Sequence, residues 1–150
     1  MKKSVRKILT LALALALVCA LAVSGLAVTI GDGALYHEYI LVDHYLTLTE
    51  HRASASVTIE DTYGGIEMSN TGTITLRYSY YDGTSREFVS RSTQTSRLYE
   101  TGASVVFTAP STAGTYMTSA TGSYDISLDI CGTPYRHHPR DLTLTEEDYR

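Results

Sequence analysis

The chain has 150 residues, with 12 Lys and Arg against 16 Asp and Glu and a formal net charge of −4. It holds 12 tyrosines, two phenylalanines, no tryptophan and two cysteines. That length suits one domain, and an acidic balance disfavours phosphate backbones and anionic membranes as partners.

The first segment is a basic head, Lys2, Lys3, Arg6 and Lys7, followed by an uncharged run from Ile8 to Val18. Small residues then gather at Ala20, Ala22, Ser24, Gly25 and Ala27. Basic, apolar and small segments in that order are the pattern of a secretory signal peptide, here read as residues 1–27. Cleavage after Ala22 or Ala27 fits the small residues at −3 and −1, with Ala27 preferred. The alternative is a retained membrane anchor, because Ile8 to Ile30 is long enough to span a bilayer. Both readings send residues 28–150 out of the cytoplasm, as a secreted or cell-surface domain. The leader holds four of the twelve basic residues and none of the sixteen acidic ones. The exported part therefore carries eight against sixteen, net −8, and every lysine and Cys19 lie outside it. Lysine Schiff-base chemistry and an intrachain disulfide are excluded there; Cys131 is left for an intermolecular disulfide or for packing.

Gly31-Asp32-Gly33 reads as a flexible entry. Leu35 to Thr49 is ambiguous: Leu46-Thr47-Leu48-Thr49 alternates, while Leu35, Tyr39, Val42 and Leu46 fit a helical stripe. Its β-branched and aromatic content favours strand. Ala53, Ala55, Val57 and Ile59 alternate with polar residues, as do Ile74, Leu76, Tyr78 and Tyr80, and then Tyr124, Ile126, Leu128 and Ile130. Val105 and Phe107 mark a further strand, ended by Pro110. Period two with one apolar face is a half-buried strand. Around Tyr81-Asp82-Gly83 a three-residue hairpin loop would set Leu76 opposite Phe88, Tyr78 opposite Arg86 and Arg77 opposite Glu87. Turn signals recur at Tyr63-Gly64-Gly65, Asn70-Thr71-Gly72, Thr101-Gly102, Pro110 to Gly114, Thr121-Gly122 and Gly132-Thr133-Pro134. Leu46 to Glu50 recurs as Leu142 to Glu146, too short an echo for a duplicated domain, and Thr145 could cap a terminal helix.

These segments predict an all-β fold: a single antiparallel β-sandwich, immunoglobulin-like or related, of six to eight strands after the signal helix. A partly open β-barrel is the alternative. The expected core is Val57, Ile59, Ile74, Leu76, Tyr78, Phe88, Val105, Phe107, Tyr124, Ile126, Leu128 and Ile130. In composition the chain resembles small secreted bacterial β-proteins, without a motif that names a family.

Histidine offers the one constellation with metal-binding chemistry: His37, His44 and His51 at intervals of seven, and His137-His138. On a strand, an interval of seven turns His37 and His44 to opposite faces, which weakens a shared zinc or copper site. Cys131 with His137 or His138 matches a nucleophile and base in type only. Asp125 and Asp129 are too sparse for a calcium loop. Hydrolase, metalloprotease and phosphate-loop motifs are absent from the sequence. Tyrosine suits recognition surfaces. Tyr81, Tyr99 and Tyr135, near expected turns, are the candidate surface; Tyr78, Tyr116 and Tyr124 are expected to face inward. The expectation is a non-catalytic interaction module with a protein or cell-surface ligand, no cofactor and no nucleic acid. Its membrane contact would come only through an uncleaved leader. The alternative is an extracellular module for a metal or a glycan.

Overall fold

Among the described residues, the alternating segments are realised as strands. The computed structural model describes residues 26–82, 90–94 and 102–150, with the backbone alone for 90–94. Residues 1–25, Arg86, Glu87, Phe88 and Tyr99 lie outside the described residues. Nine strands are described: β1 (Val28–Tyr36), β2 (Ile40–Leu48), β3 (Arg52–Asp61), β4 (Met68–Asp82), β5 (Ser90–Gln94), β6 (Gly102–Thr108), β7 (Thr115–Ile130), β8 (Thr133–His137) and β9 (Leu142–Thr145). A short helix, α1 (Glu146–Tyr149), follows. Every ladder is antiparallel.

One sheet has the order β1-β2-β3-β6; the other runs β5-β4-β7-β8, with β9 pairing along β7. β8 and β9 lie end to end on the same long strand, against Ile126–Ile130 and Ser119–Gly122 respectively. The two sheets share no ladder among the described residues, consistent with a β-sandwich. The core lies between them. Ile40, Val42, Leu46, Leu48, Ala53, Ala55, Val57 and Ile59 face it from the first sheet. Ile74, Leu76, Met117, Tyr124, Ile126, Leu128, Ile130 and Leu144 face it from the second. Tyr78 stacks on Phe107 across the gap, centroids 3.7 Å apart.

The ambiguous stretch Leu35 to Thr49 is strand: the end of β1, a turn, and β2. The helical stripe fails because Ile40, Val42, His44, Leu46 and Leu48 form one buried face at period two. Thr145 does start a helix, with its N–H donating to the Asp148 carboxylate at 2.6 Å.

The expected turns at Asn70-Thr71-Gly72 and Thr121-Gly122 lie inside strands β4 and β7, and three further expectations are corrected. Gly31-Asp32-Gly33 is paired strand, with Asp32 opposite His44, rather than a flexible entry. A Cβ at Gly31 would collide with the Tyr45 ring and the His44 carbonyl oxygen, and one at Gly33 would displace the Asp43 carboxylate. The β4–β5 register is four residues longer than expected: Leu76 pairs with Ser92 and Tyr78 with Ser90. The choice of Phe88 and Glu87 as partners rested on matching side chains within a tight turn. Instead β4 continues to Asp82 along β7, and β5 joins it only as far as Tyr78. Third, Tyr116 faces away from the core. Counting back by twos from Tyr124 puts it inside, but the ladder steps from Ser79–Ser119 to Tyr80–Met117 and leaves Thr118 as an extra residue. That β-bulge inverts the alternation, so Met117 and Thr115 are buried instead. The Ser79 hydroxyl, itself buried, anchors the bulge by bonding Thr118 Oγ1 and Ser119 Oγ, each at 2.7 Å.

Candidate functional site

The five histidines divide by element. His37 is exposed in the β1–β2 turn, and His51 lies in the β2–β3 turn, 3.9 Å from the Glu50 carboxylate. His138 follows β8, its Nδ1 3.1 Å from the Tyr124 carbonyl oxygen and 3.8 Å from Asp125. Only His44 and His137 come together. They meet between the sheets, from the middle of β2 and the end of β8, at 4% and 3% exposure. His137 Nε2 and His44 Nδ1 share a hydrogen bond of 3.2 Å. His137 Nδ1 is 3.1 Å from the Tyr36 hydroxyl of β1, which also reaches the Arg136 carbonyl oxygen at 3.3 Å. His44 leans on the Tyr124 ring, centroids 5.0 Å apart. The Tyr124 hydroxyl crosses the gap and donates to the Tyr45 carbonyl oxygen at 2.6 Å.

Burial disfavours charge on both imidazoles. It holds His44 below the ordinary histidine range, against the smaller opposing pull of Asp32 and Asp43. Burial first, then the neighbouring His44, lowers His137 to about 4; Asp43 and Asp32 oppose this. Both rings are therefore neutral near pH 7. Their facing nitrogens, 3.2 Å apart, bond each other. Among the described residues, no three His, Cys, Asp or Glu side chains gather as a metal site.

Cys131 is exposed at the β7–β8 turn, with φ of 52° followed by Gly132 at 79°. This is the two-residue hairpin in which both central residues take the left-handed conformation. Cys131 is thus neither a packing residue nor a partner of His137, which lies four strand positions beyond Thr133, about 13 Å along β8.

The expected tyrosine surface is redistributed. Tyr135 is half-buried against the core and meets Tyr36 edge-on at 5.7 Å. Tyr81 rests against Tyr116 at 5.3 Å, and the Arg150 guanidinium lies 4.2 Å over the Tyr116 ring. Tyr81 and Tyr135 pair near opposite ends of β7, about 40 Å apart, and cannot form one surface.

A different tyrosine pair is exposed. Tyr39, in the β1–β2 turn, and Tyr63, after β3, lie 5.1 Å apart at 38% and 74% exposure. Their loops are tied together, since the Tyr39 carbonyl oxygen accepts both the Thr62 N–H at 2.9 Å and the Thr62 hydroxyl at 2.8 Å. The Asp61 carboxylate clamps the β3–β4 crossover by accepting the N–H groups of Tyr63, Gly64 and Ile66 at 3.0, 2.8 and 2.7 Å. Those amides, Ile66 foremost, hold the Asp61 carboxyl below its ordinary range. Gly64 and Gly65 complete the loop at φ of 84° and 92°. Leu35 is 59% exposed on the same sheet end, opposite Leu41, with Glu38 and Glu60 exposed beside them. Tyr63-Gly64-Gly65 was legible as a turn in the sequence. Nothing local signalled that Tyr39 would meet it.

At the other end of the sandwich, a cleft of about 410 Å³ lies between the β2–β3 and β6–β7 connections, lined by Glu50, His51, Thr112 and Tyr116 among others. The Glu50 and His51 carbonyl oxygens accept the N–H groups of Met117 and Ala109, both at 2.8 Å.

No known protein family matches this chain, and no curated protein matches it in sequence.

Proposed function

We propose that residues 28–150 act outside the cytoplasm as a non-catalytic recognition module that binds a protein partner through the Tyr39–Tyr63 surface. The observation carrying this reading is an exposed aromatic pair on loops held rigid by Asp61 and Thr62. Tyrosine offers a large contact area with little side-chain entropy to lose, and preordered loops lower the cost of binding. Loops at the end of a sandwich are a common place for recognition. Exposed Glu38 and Glu60 beside the pair favour a neutral or basic polypeptide. Export rests on the basic, apolar and small segments of residues 1–27. Within the sandwich class, an immunoglobulin-like identity has the two antiparallel sheets in its favour. The order β1-β2-β3-β6 departs from the A-B-E-D sheet of that fold, so a related sandwich is the reading we adopt.

The test is fractionation of the native host, followed by cross-linking of the exported domain, wild type beside Tyr39→Ala/Tyr63→Ala. The expected result is recovery outside the cytoplasm with a discrete cross-linked partner that the double variant loses. Cytoplasmic recovery would refute the export reading. An unchanged partner set in the folded variant would refute the surface, and capture of a glycan alone would move the protein to the ligand-binding class.

A further inference from the structure

We propose that the His44–His137 pair is an acid-operated fastener between the two sheets, holding the β1–β2 hairpin and its Tyr39 surface in place until both imidazoles are protonated. The proposal rests on the reading of that surface as the binding site, and concerns its regulation.

The contact is a matter of hydrogen counting. A neutral imidazole has one N–H and one acceptor nitrogen. Two neutral rings facing through His137 Nε2 and His44 Nδ1 therefore complement each other, one donating and one accepting. The remaining His137 nitrogen faces the Tyr36 hydroxyl, which can either donate or accept. A first proton can be kept, because an imidazolium can donate to a neutral imidazole. A second leaves an N–H on both facing nitrogens and puts two positive charges 3.2 Å apart in a buried setting. The contact must then open.

The surroundings offer little compensation. From β1 and β2 the carboxylates of Asp32 and Asp43 favour protonation, but less than burial opposes it. The Tyr36 hydroxyl meets His137 from β1 and the Tyr124 ring packs on His44 from β7, both as uncharged groups. On β8, Arg136 is committed to Asp125 through two bonds of 2.8 Å, and His138 lies on the same carboxylate.

Opening has a preferred direction. Among the described residues, β1 is an edge strand whose only ladder is with β2. Its last residue, Tyr36, places its ring against His137 and Tyr135 of β8 and its hydroxyl on His137. The next two residues, His37 and Glu38, hold φ of 49° and 62°, the left-handed turn conformation that is uncommon for non-glycine residues. Tyr39 follows directly, its N–H bonded to the Tyr36 carbonyl oxygen at 3.2 Å. Release of Tyr36 from β8 thus removes a constraint on the turn that presents Tyr39.

The sign follows from the lowered value. An open state titrates near the ordinary 6.5 and the closed state, for His137, near 4. The open form binds more protons between these values, so closure is complete above pH 6.5 and weakens as pH falls towards 4. For this one group, opening becomes roughly 50-fold more favourable between pH 7 and 4.5.

The experiment is amide hydrogen exchange on the exported domain across that range, corrected for intrinsic rates. Expected is a loss of protection of at least tenfold at pH 4.5 in residues 34–40, with β3 and β7 unchanged, and no such loss in His137→Phe. A second measurement on wild type alone, histidine ring NMR, should give His44 and His137 midpoints below 6.5 that move with the local opening. Unchanged protection of residues 34–40 at pH 4.5, equal loss in the variant, or loss spread evenly over both sheets would each overturn the fastener. If Tyr39→Ala/Tyr63→Ala still captures the partner, the binding surface fails while the fastener stands on its exchange data. If capture depends on the pair yet is equal at pH 7 and 4.5, the regulation fails and the surface stands.

Discussion

Tyr124 and Gly122 make a sharp test of how the sheets are tied. Tyr124 is 1% exposed, and its hydroxyl donates to the Tyr45 carbonyl oxygen on the opposite sheet at 2.6 Å. Tyr124→Phe keeps the ring and removes that donor, at an expected cost of about 1.5 kcal/mol. The side chain reaches its position by folding back over Gly122: a Cβ there would lie 2.5 Å from the Tyr124 hydroxyl oxygen and 3.0 Å from the carbon that bears it. Gly122→Ala should therefore overpack the site by about 2 kcal/mol, offset by the roughly 0.5–1 kcal/mol that alanine gains over glycine in a strand. The two changes must couple, because the oxygen deleted in one is the nearest atom struck in the other. Together they should cost about 1 kcal/mol less than the sum of the singles. Urea denaturation of all four proteins at pH 7 measures the cycle. Additivity within about 0.3 kcal/mol would refute the claim that the hydroxyl, rather than the ring, is what Gly122 accommodates.

Three further outcomes follow from the same geometry. Leu76→Ala should lower stability by about 2–5 kcal/mol in urea or thermal melts, since Leu76 is fully buried in the sandwich core. Arg136→Ala should change it by less than about 1 kcal/mol despite the two-bonded contact with Asp125, because both side chains are exposed. Asp61→Ala should speed proteolytic cleavage at residues 62–66 with little change in the core. In wild type the same loop should loosen as pH falls through the lowered Asp61 value, because a carboxylate favoured by the fold stabilises it only while ionised.

The sandwich was legible wherever one face of a strand alternates cleanly, as in β3 and the second half of β7. It was less legible where the backbone departs from that period. The extra residue at Thr118 sends Tyr116 outward although its spacing from Tyr124 is even. β1 has almost no apolar alternation, and its glycines are explained only by Tyr45 and Asp43 on the neighbouring strand. The candidate site was less visible still. His44 and His137 are 93 positions apart, and their meeting requires β2 and β8 to face across the core. Interval-of-seven counting grouped His44 with His37 and His51, both of which lie in turns. Tyr39 and Tyr63 likewise become neighbours through the β2–β3 ladder, which pairs Ile40 with Asp61, and the bonds of Thr62 to the Tyr39 carbonyl oxygen. In each case the missing information is tertiary, so no local window contains it.

The echo of Leu46 to Glu50 in Leu142 to Glu146 separates what a short sequence can dictate from what it cannot. In both copies the Leu-Thr alternation forms strand: Leu46 and Leu48 are buried in β2, and Leu144 is buried in β9. The two strands pack across from each other in opposite sheets. Then the copies diverge. After Glu50 come His51 and Arg52, and the chain turns into β3, with the Thr49 N–H on the Arg52 carbonyl oxygen at 2.8 Å. After Glu146 come Glu147 and Asp148, and the Asp148 carboxylate reaches back to the Thr145 N–H at 2.6 Å. That cap starts α1, whose Tyr149 hydroxyl donates to the Met117 carbonyl oxygen at 2.5 Å. The repeated residues set the strand period and the apolar face. The residues that follow the repeat set what the threonine amide bonds, the Arg52 carbonyl oxygen in the hairpin and the Asp148 carboxylate at the helix.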